Sequence, residues 1–154
     1  MKSRFFLTLA ICLLFFSCNK KTENPNCLAV ITPLKLKFNI INKESQKDLF
    51  FAEGAPYQIS DLKIYYSTDT KHEHPLKIEV EGEPNKKNFS INLEGDLTGI
   101  KTGSLELNIG ASIKHKVDYS VSMVKNPCPE YKIEEIKFNQ TVVTSNTSIY
   151  KFMN

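Results

Sequence analysis

Residues 112–124 read SIKHKVDYSVSMV, and their alternation decides the fold class. Ile113, His115, Val117, Tyr119, Val121 and Met123 take one parity, while Ser112, Lys114, Lys116, Asp118, Ser120 and Ser122 take the other. Successive side chains of a strand point to opposite faces, so this pattern predicts one long strand with a core face and a wet face. The same period recurs along the chain. Leu34, Leu36, Phe38 and Ile40 oppose Lys35, Lys37 and Asn39, and Leu76, Ile78 and Val80 oppose Lys77, Glu79 and Glu81. Phe89, Ile91 and Leu93 oppose Ser90 and Asn92, and Leu105, Leu107 and Ile109 oppose Glu106 and Asn108. Such alternation suits antiparallel sheets with one face in water, because parallel sheets are buried on both faces and read as continuous apolar runs.

Two segments slip phase. Tyr57 and Ile59 share a parity that Leu62, Ile64 and Tyr66 do not, and Tyr131 and Ile133 give way to Ile136 and Phe138 across Glu134-Glu135. Either a β-bulge or two consecutive short strands would produce each slip. Turn-rich stretches (NKESQKD, STDTKHEHP, EGEPNKKN, EGDLTGIKTG, KNPCPE) separate the periodic ones, and KESQKDLF has room for one helical turn. The fold expected is an all-β antiparallel sandwich, immunoglobulin-like in architecture, with roughly seven to nine strands. Membership of the immunoglobulin family does not follow, since the chain has no Trp and its Cys27 to Cys128 interval is too long.

The first residues read MKSRFFLTLAICLLFFSCNKK. Lys2 and Arg4 precede an apolar run from Phe5 to Phe16, interrupted only by Thr8. As a helix that run would be about 18 Å long, too short for a hydrocarbon core of about 30 Å. A basic start and an apolar segment of this length predict a secretory signal over residues 1–17. Ser17 directly before Cys18, with Leu14 and two Phe upstream, resembles the lipobox of bacterial lipoproteins, in the looser form used by Bacteroidota. The resemblance implies cleavage before Cys18, diacylation of its sulfur and acylation of its new amine, palmitate among the candidate chains. Two or three acyl chains give lasting anchorage at about 0.8 kcal/mol per buried methylene. Residues 18–26 are then a polar tether with nothing to bury, and Lys20 and Lys21 either rest on anionic headgroups or are simply solvated. The resemblance places the protein in the bacterial cell envelope, on the outer membrane. The acidic cluster that often marks surface export is absent after Cys18. The segments FNIINKESQKDLFF (38–51) and CPEYKIEEIKFN (128–139) resemble pieces of small Bacteroidota lipoproteins and import no activity.

Residues 27–154 suit a single domain with one core. Formal charge is +3, falling to +1 without Lys2 and Arg4, with both signs well mixed. No basic stripe is present, so nucleic acid is not an expected partner. Cys12 leaves with the leader and Cys18 takes the lipid, which leaves Cys27 and Cys128 as an even pair in an oxidising compartment. A disulfide between them would close a loop of about a hundred residues, worth up to about 4.7 kcal/mol in the chain-entropy model.

Chemistry is sparse. His72, Glu73 and His74, with Asp69 nearby, contain metal-ligating residue types, but an i, i+2 pair in a polar turn is most simply a solvated loop. His115 lies on a core parity, where a neutral hydrogen-bonded imidazole is the default reading. Asp96 to Gly99 (DLTG) only superficially resembles an aspartic-protease signature, and Gly95, Gly99 and Gly103 read as turn residues. Asn88-Phe89-Ser90 is a formal sequon inside a predicted strand. With no catalytic constellation, no cofactor and no metal site expected, the sequence predicts a non-catalytic, lipid-anchored binding module for a protein, peptide or glycan. An exposed cluster of Tyr57, Tyr65 and Tyr66 would favour that reading. A structural or assembly accessory of the envelope is the alternative, and an envelope enzyme ranks last.

Overall fold

The computed structural model describes residues 34–93, 101–124, 128, 130–145 and 147–154. Nine strands form among them. They are β1 (Leu34–Ile41), β2 (Leu62–Tyr66), β3 (Ile78–Glu81), β4 (Asn88–Leu93), β5 (Lys101–Ile109), β6 (Ile113–Val124), β7 (Glu130–Phe138), β8 (Thr141–Val142) and β9 (Ile149–Met153). One sheet has the order β3-β4-β1-β9 and the other β2-β5-β6-β7-β8. This is the β-sandwich that the alternation predicts.

The two sheets interlock. β1 pairs with β4 in the first, while β2 pairs with β5 in the second, all antiparallel. Together with the β3–β4 and β5–β6 pairs, this reproduces the D-E-B and C-F-G neighbours of an immunoglobulin-like sandwich. β7 and β8 extend the second sheet. β9 lies parallel to β1, with Lys37 opposite Ile149 and Ile41 opposite Met153, so the arrangement is not purely antiparallel as expected. Single-strand patterning carries no information on which distant strand arrives alongside, or in which direction.

The core parity of each strand meets between the sheets. Leu36, Phe38 and Ile40 of β1 and Leu105, Leu107 and Ile109 of β5 are each at most 1% exposed. An aromatic row ties the layers together. Phe138 of β7 stacks on Phe152 of β9 with centroids 4.8 Å apart and planes 6° from parallel, and Phe152 stacks on Phe38 at 5.0 Å. Such separations fall in the favourable range for ring pairs.

The two phase slips resolve differently. Ser120 faces Glu135 but Val121 faces Ile133, so Glu134 is the extra residue of a β-bulge in β7. The earlier slip is neither a bulge nor a second strand: Ile59–Asp61 is a 3-10 turn leading into β2, and Ile59 is exposed. KESQKDLF forms no helix, only a single turn closed by the Gln46 N–H donating to the Asn42 carbonyl at 2.9 Å. Asn42 Oδ1 accepts the Glu44 and Ser45 N–H groups at 3.0 and 2.7 Å, and Asp48 Oδ1 accepts those of Phe50 and Phe51 at 2.8 and 2.9 Å. Short polar side chains here outcompete the helical ladder.

Among the described residues, side chains that depart from their parity include Val80, Ser90 and Tyr65. Val80 is exposed because β3 is an edge strand. Ser90 faces outward yet is buried, under ion pairs that run from Lys35 and Lys37 on β1 to Glu81 on β3 (2.7 and 2.8 Å). Tyr65 is buried on the outer side of β2, against the ring of His72.

Candidate functional site

The His72/His74 loop is a clasp. His72 sits at φ +54, which turns its ring back onto the sheet. Its Nε2 lies 2.9 Å from Glu106 Oε2 on β5, and its ring is 4.6 Å from that of Tyr65. His74 is held differently, its backbone N–H donating to Asp69 Oδ2 at 2.8 Å. That N–H is the main reason the Asp69 carboxyl lies below its usual range, with the Glu73 N–H adding to it. The His72 ring and the His74 backbone thus serve separate contacts. Among the described residues no group of three or more His, Cys, Asp or Glu is placed to hold a metal ion.

His115 is fixed by a residue that the sequence reading passed over. Asn139 and Gln140 both have positive φ (+49 and +70) and join Phe138 to Thr141, the two-residue hairpin geometry that favours Asn. Asn139 Oδ1 accepts the Lys116 N–H at 2.9 Å, which leaves its Nδ2 to donate to His115 Nδ1 at 2.8 Å. An amide nitrogen only donates, so Nδ1 is an acceptor and the ring proton sits on Nε2. Nε2 is enclosed without a hydrogen bond of normal geometry, although the Asn154 side chain lies close enough to favour protonation. Burial outweighs both asparagines and pushes the His115 pKa down. The ring also tilts onto Phe138 at 4.7 Å. This is the neutral core-edge histidine expected from its parity.

The tyrosines form no exposed platform. Tyr65 is buried, while Tyr57 and Tyr66 are half-buried against the core. Asn88 of the formal sequon is 4% exposed, its Nδ2 donating to the Phe89 carbonyl. Gly95, Asp96 and Gly99 lie outside the described residues, as do Cys18 and Cys27. Cys128 lies between β6 and β7 and is half-buried.

Among the described residues, three clefts stand out. A polar one of about 530 Å³ lies on the second sheet, floored by Ser104, Asp118, Ser120, Glu135 and Lys137. A second, of about 480 Å³, lies between the 48–52 loop and the β3–β4 turn and carries Lys86, Lys87 and Lys151 around Asp48. The Asp48 carboxylate is already engaged there, its Oδ2 accepting from Asn39 Nδ2 at 2.7 Å. The third cleft, also about 530 Å³, opens where the sheets end side by side at β8 and β9. Phe138 and Val143 line it, and Val142 and Met153 stand at its rim, 54% and 42% exposed. Its lining includes Lys43 and Lys151 and no carboxylate side chain. Of the three, this cleft alone combines exposed apolar side chains with lysines and no carboxylate in its lining, Lys151 being shared with the second cleft, and that is the composition of a recognition surface. Sequence could not locate it, because it depends on β8 and β9 meeting at corresponding edges of two sheets.

No family model, curated protein or solved structure matches the chain.

Proposed function

We propose that the protein is a non-catalytic binding module of the bacterial cell envelope, held to the outer membrane by lipid on Cys18 and a tether over residues 18–26. The observation that carries this reading is the β8/β9 cleft, where Val142 and Met153 stay exposed beside two lysines. Leaving apolar side chains in water forgoes their burial energy, which a partner covering them would recover. The lipobox resemblance supports the anchor. Strand order supports a Cys27–Cys128 bridge: Leu34 opens β1 opposite the last residue of β4, and the chain then crosses to Lys101, opposite Val121 near the end of β6. The start of β1 and the end of β6 that precedes Cys128 therefore share one end of the sandwich, which supports the proposed bridge.

The test combines anchorage and contact in the native envelope. Wild type should partition with membranes and take up labelled palmitate, whereas Cys18→Ala should do neither. A photo-crosslinking residue placed at Val142 should give a discrete adduct, and one placed at Lys63, on the outer face of β2, should not. Equal membrane partition of wild type and Cys18→Ala would overturn the anchor, and identical labelling from both positions would overturn the binding module. Non-reducing peptide mapping should recover a Cys27–Cys128 fragment.

A further inference from the structure

The backbone of β9 is half used. Asn154 donates its N–H to the Ile41 carbonyl at 2.9 Å and accepts the Lys43 N–H at 2.8 Å, so both its polar groups face β1. Backbone groups alternate sides along a strand, so Tyr150 and Phe152 also face β1, while Ile149, Lys151 and Met153 face away. Ser145 Oγ caps the Ile149 carbonyl at 3.0 Å. Beyond it, the N–H and C=O groups of Lys151 and Met153 line the open edge, since β9 ends its sheet among the described residues. Across the cleft, the Val143 N–H is spent on Ile136 at 2.8 Å, which turns Val142 and Thr144 outward in the same way.

From this edge we infer that the β8/β9 cleft accepts an extended peptide as a further strand on β9, its residues alternating apolar with Asp or Glu. Strand addition uses backbone hydrogen bonds for affinity and alternate side chains for selectivity. One parity of the added strand would lie between the sheets on Phe138 and Val143. The other would stand on the outer face beside Lys151, where opposite charges across strands are favourable. A second copy of this chain is a poorer occupant, because it brings another β9 lysine to a cleft that has no acid to meet it.

The inference rests on the binding-module reading and can fail independently of it. The probe is a fluorescein-labelled peptide, Gly-Val-Asp-Val-Glu-Val-Asp-Val-Gly-amide, titrated by anisotropy against the detergent-solubilised full-length protein. Met153→Pro removes one outward N–H, and proline is tolerated on an edge whose N–H faces solvent. Binding should weaken at least tenfold in Met153→Pro and in Lys151→Glu, and less in Met153→Ala, which keeps the N–H. The peptide N-methylated at alternate residues, or with Lys in place of each acid, should not bind. If Met153→Pro fails to fold by circular dichroism, Lys151→Glu and the N-methylated peptide carry the test. No binding of the acidic peptide, or equal binding by wild type, Lys151→Glu and the N-methylated probe, would overturn the inference. So would a dimer in sedimentation that Met153→Pro dissolves, since a second copy then fills the edge. Crosslinks from Val142 that survive both substitutions would retain the binding module and remove the strand-addition mode.

Discussion

Tyr119 lies over Gly103. The two residues face each other across β5 and β6, and a Cβ built on Gly103 would stand 2.2 Å from the Tyr119 Cζ and hydroxyl oxygen. The glycine is therefore the seat of a ring that would otherwise have no place on the core face, and burial of that ring raises the hydroxyl's pKa, with nearby Tyr66 adding to the effect. Gly103→Ala should force the ring toward the neighbouring cleft and cost about 1–3 kcal/mol, the usual range for overpacking. In a Tyr119→Leu background the same substitution should cost much less. Chemical denaturation of the four proteins of that cycle checks the coupling, and additive costs would show that the ring moves freely.

Along β6, Val117 is fully buried and Lys116 exposed, its amine 3.0 Å from Asp118. Val117→Asp should cost about 3–5 kcal/mol, because it buries an unpartnered charge. Lys116→Asp should change stability by less than about 0.5 kcal/mol, as surface substitutions do. Comparable melting losses from the two would mean both faces of β6 are covered.

Phe152 carries the aromatic row between the sheets and is fully buried. Phe152→Ala should cost about 3–5 kcal/mol, whereas Met153→Ala beside it should fall within about 0.5 kcal/mol. Urea midpoints of the two variants give the comparison.

Acid should act through Glu81. Its carboxyl pKa is pulled from the ordinary 4.5 to about 2, first by the hydrogen bond from Lys35, then by that from Lys37. A lowered carboxylate pKa means that the unfolded chain binds the proton more readily, so this stabilisation is complete above about pH 4.5 and is lost as pH falls toward 2. Glu81→Gln should flatten the stability profile in that window. Because the group is exposed, added salt should shrink the difference between the two proteins.

His115 acts at higher pH. Its folded pKa is depressed below the ordinary 6.5, so the unfolded chain again takes up the proton first. Stability should be full above about pH 6.5 and decline as pH falls below it. His115→Gln should remove that slope without altering partner binding. A slope unchanged in His115→Gln would assign the titration elsewhere.

Much of the fold was legible because a half-buried strand writes its two faces into alternate residues. β1, β5 and β6 follow that rule almost residue by residue, and even the bulge at Glu134 announced itself as a change of parity. The Ile59–Asp61 turn did not, since a 3-10 turn and a bulge shift phase alike. The candidate site was illegible for a different reason. The motifs that stood out, His72 and His74, are spent on Glu106 and Asp69, whereas the cleft is built from ordinary residues such as Val142, Lys151 and Met153. Their significance comes from where strand pairing stops, which no local pattern records.

The parallel pairing of β1 and β9 also has a mechanical meaning. A pull between the chain entering β1 at Leu34 and the far end of β9 at Met153 drags two neighbouring strands past each other along their length. Their backbone hydrogen bonds then bear the load together and cannot peel apart one at a time, as they would in an antiparallel hairpin opened from its ends. Forced unfolding is governed by the unfolding rate, so tension along this axis meets its greatest resistance at the seam from Lys37–Ile149 to Ile41–Met153. A domain tethered before β1 and gripped along β9 would be loaded in that direction.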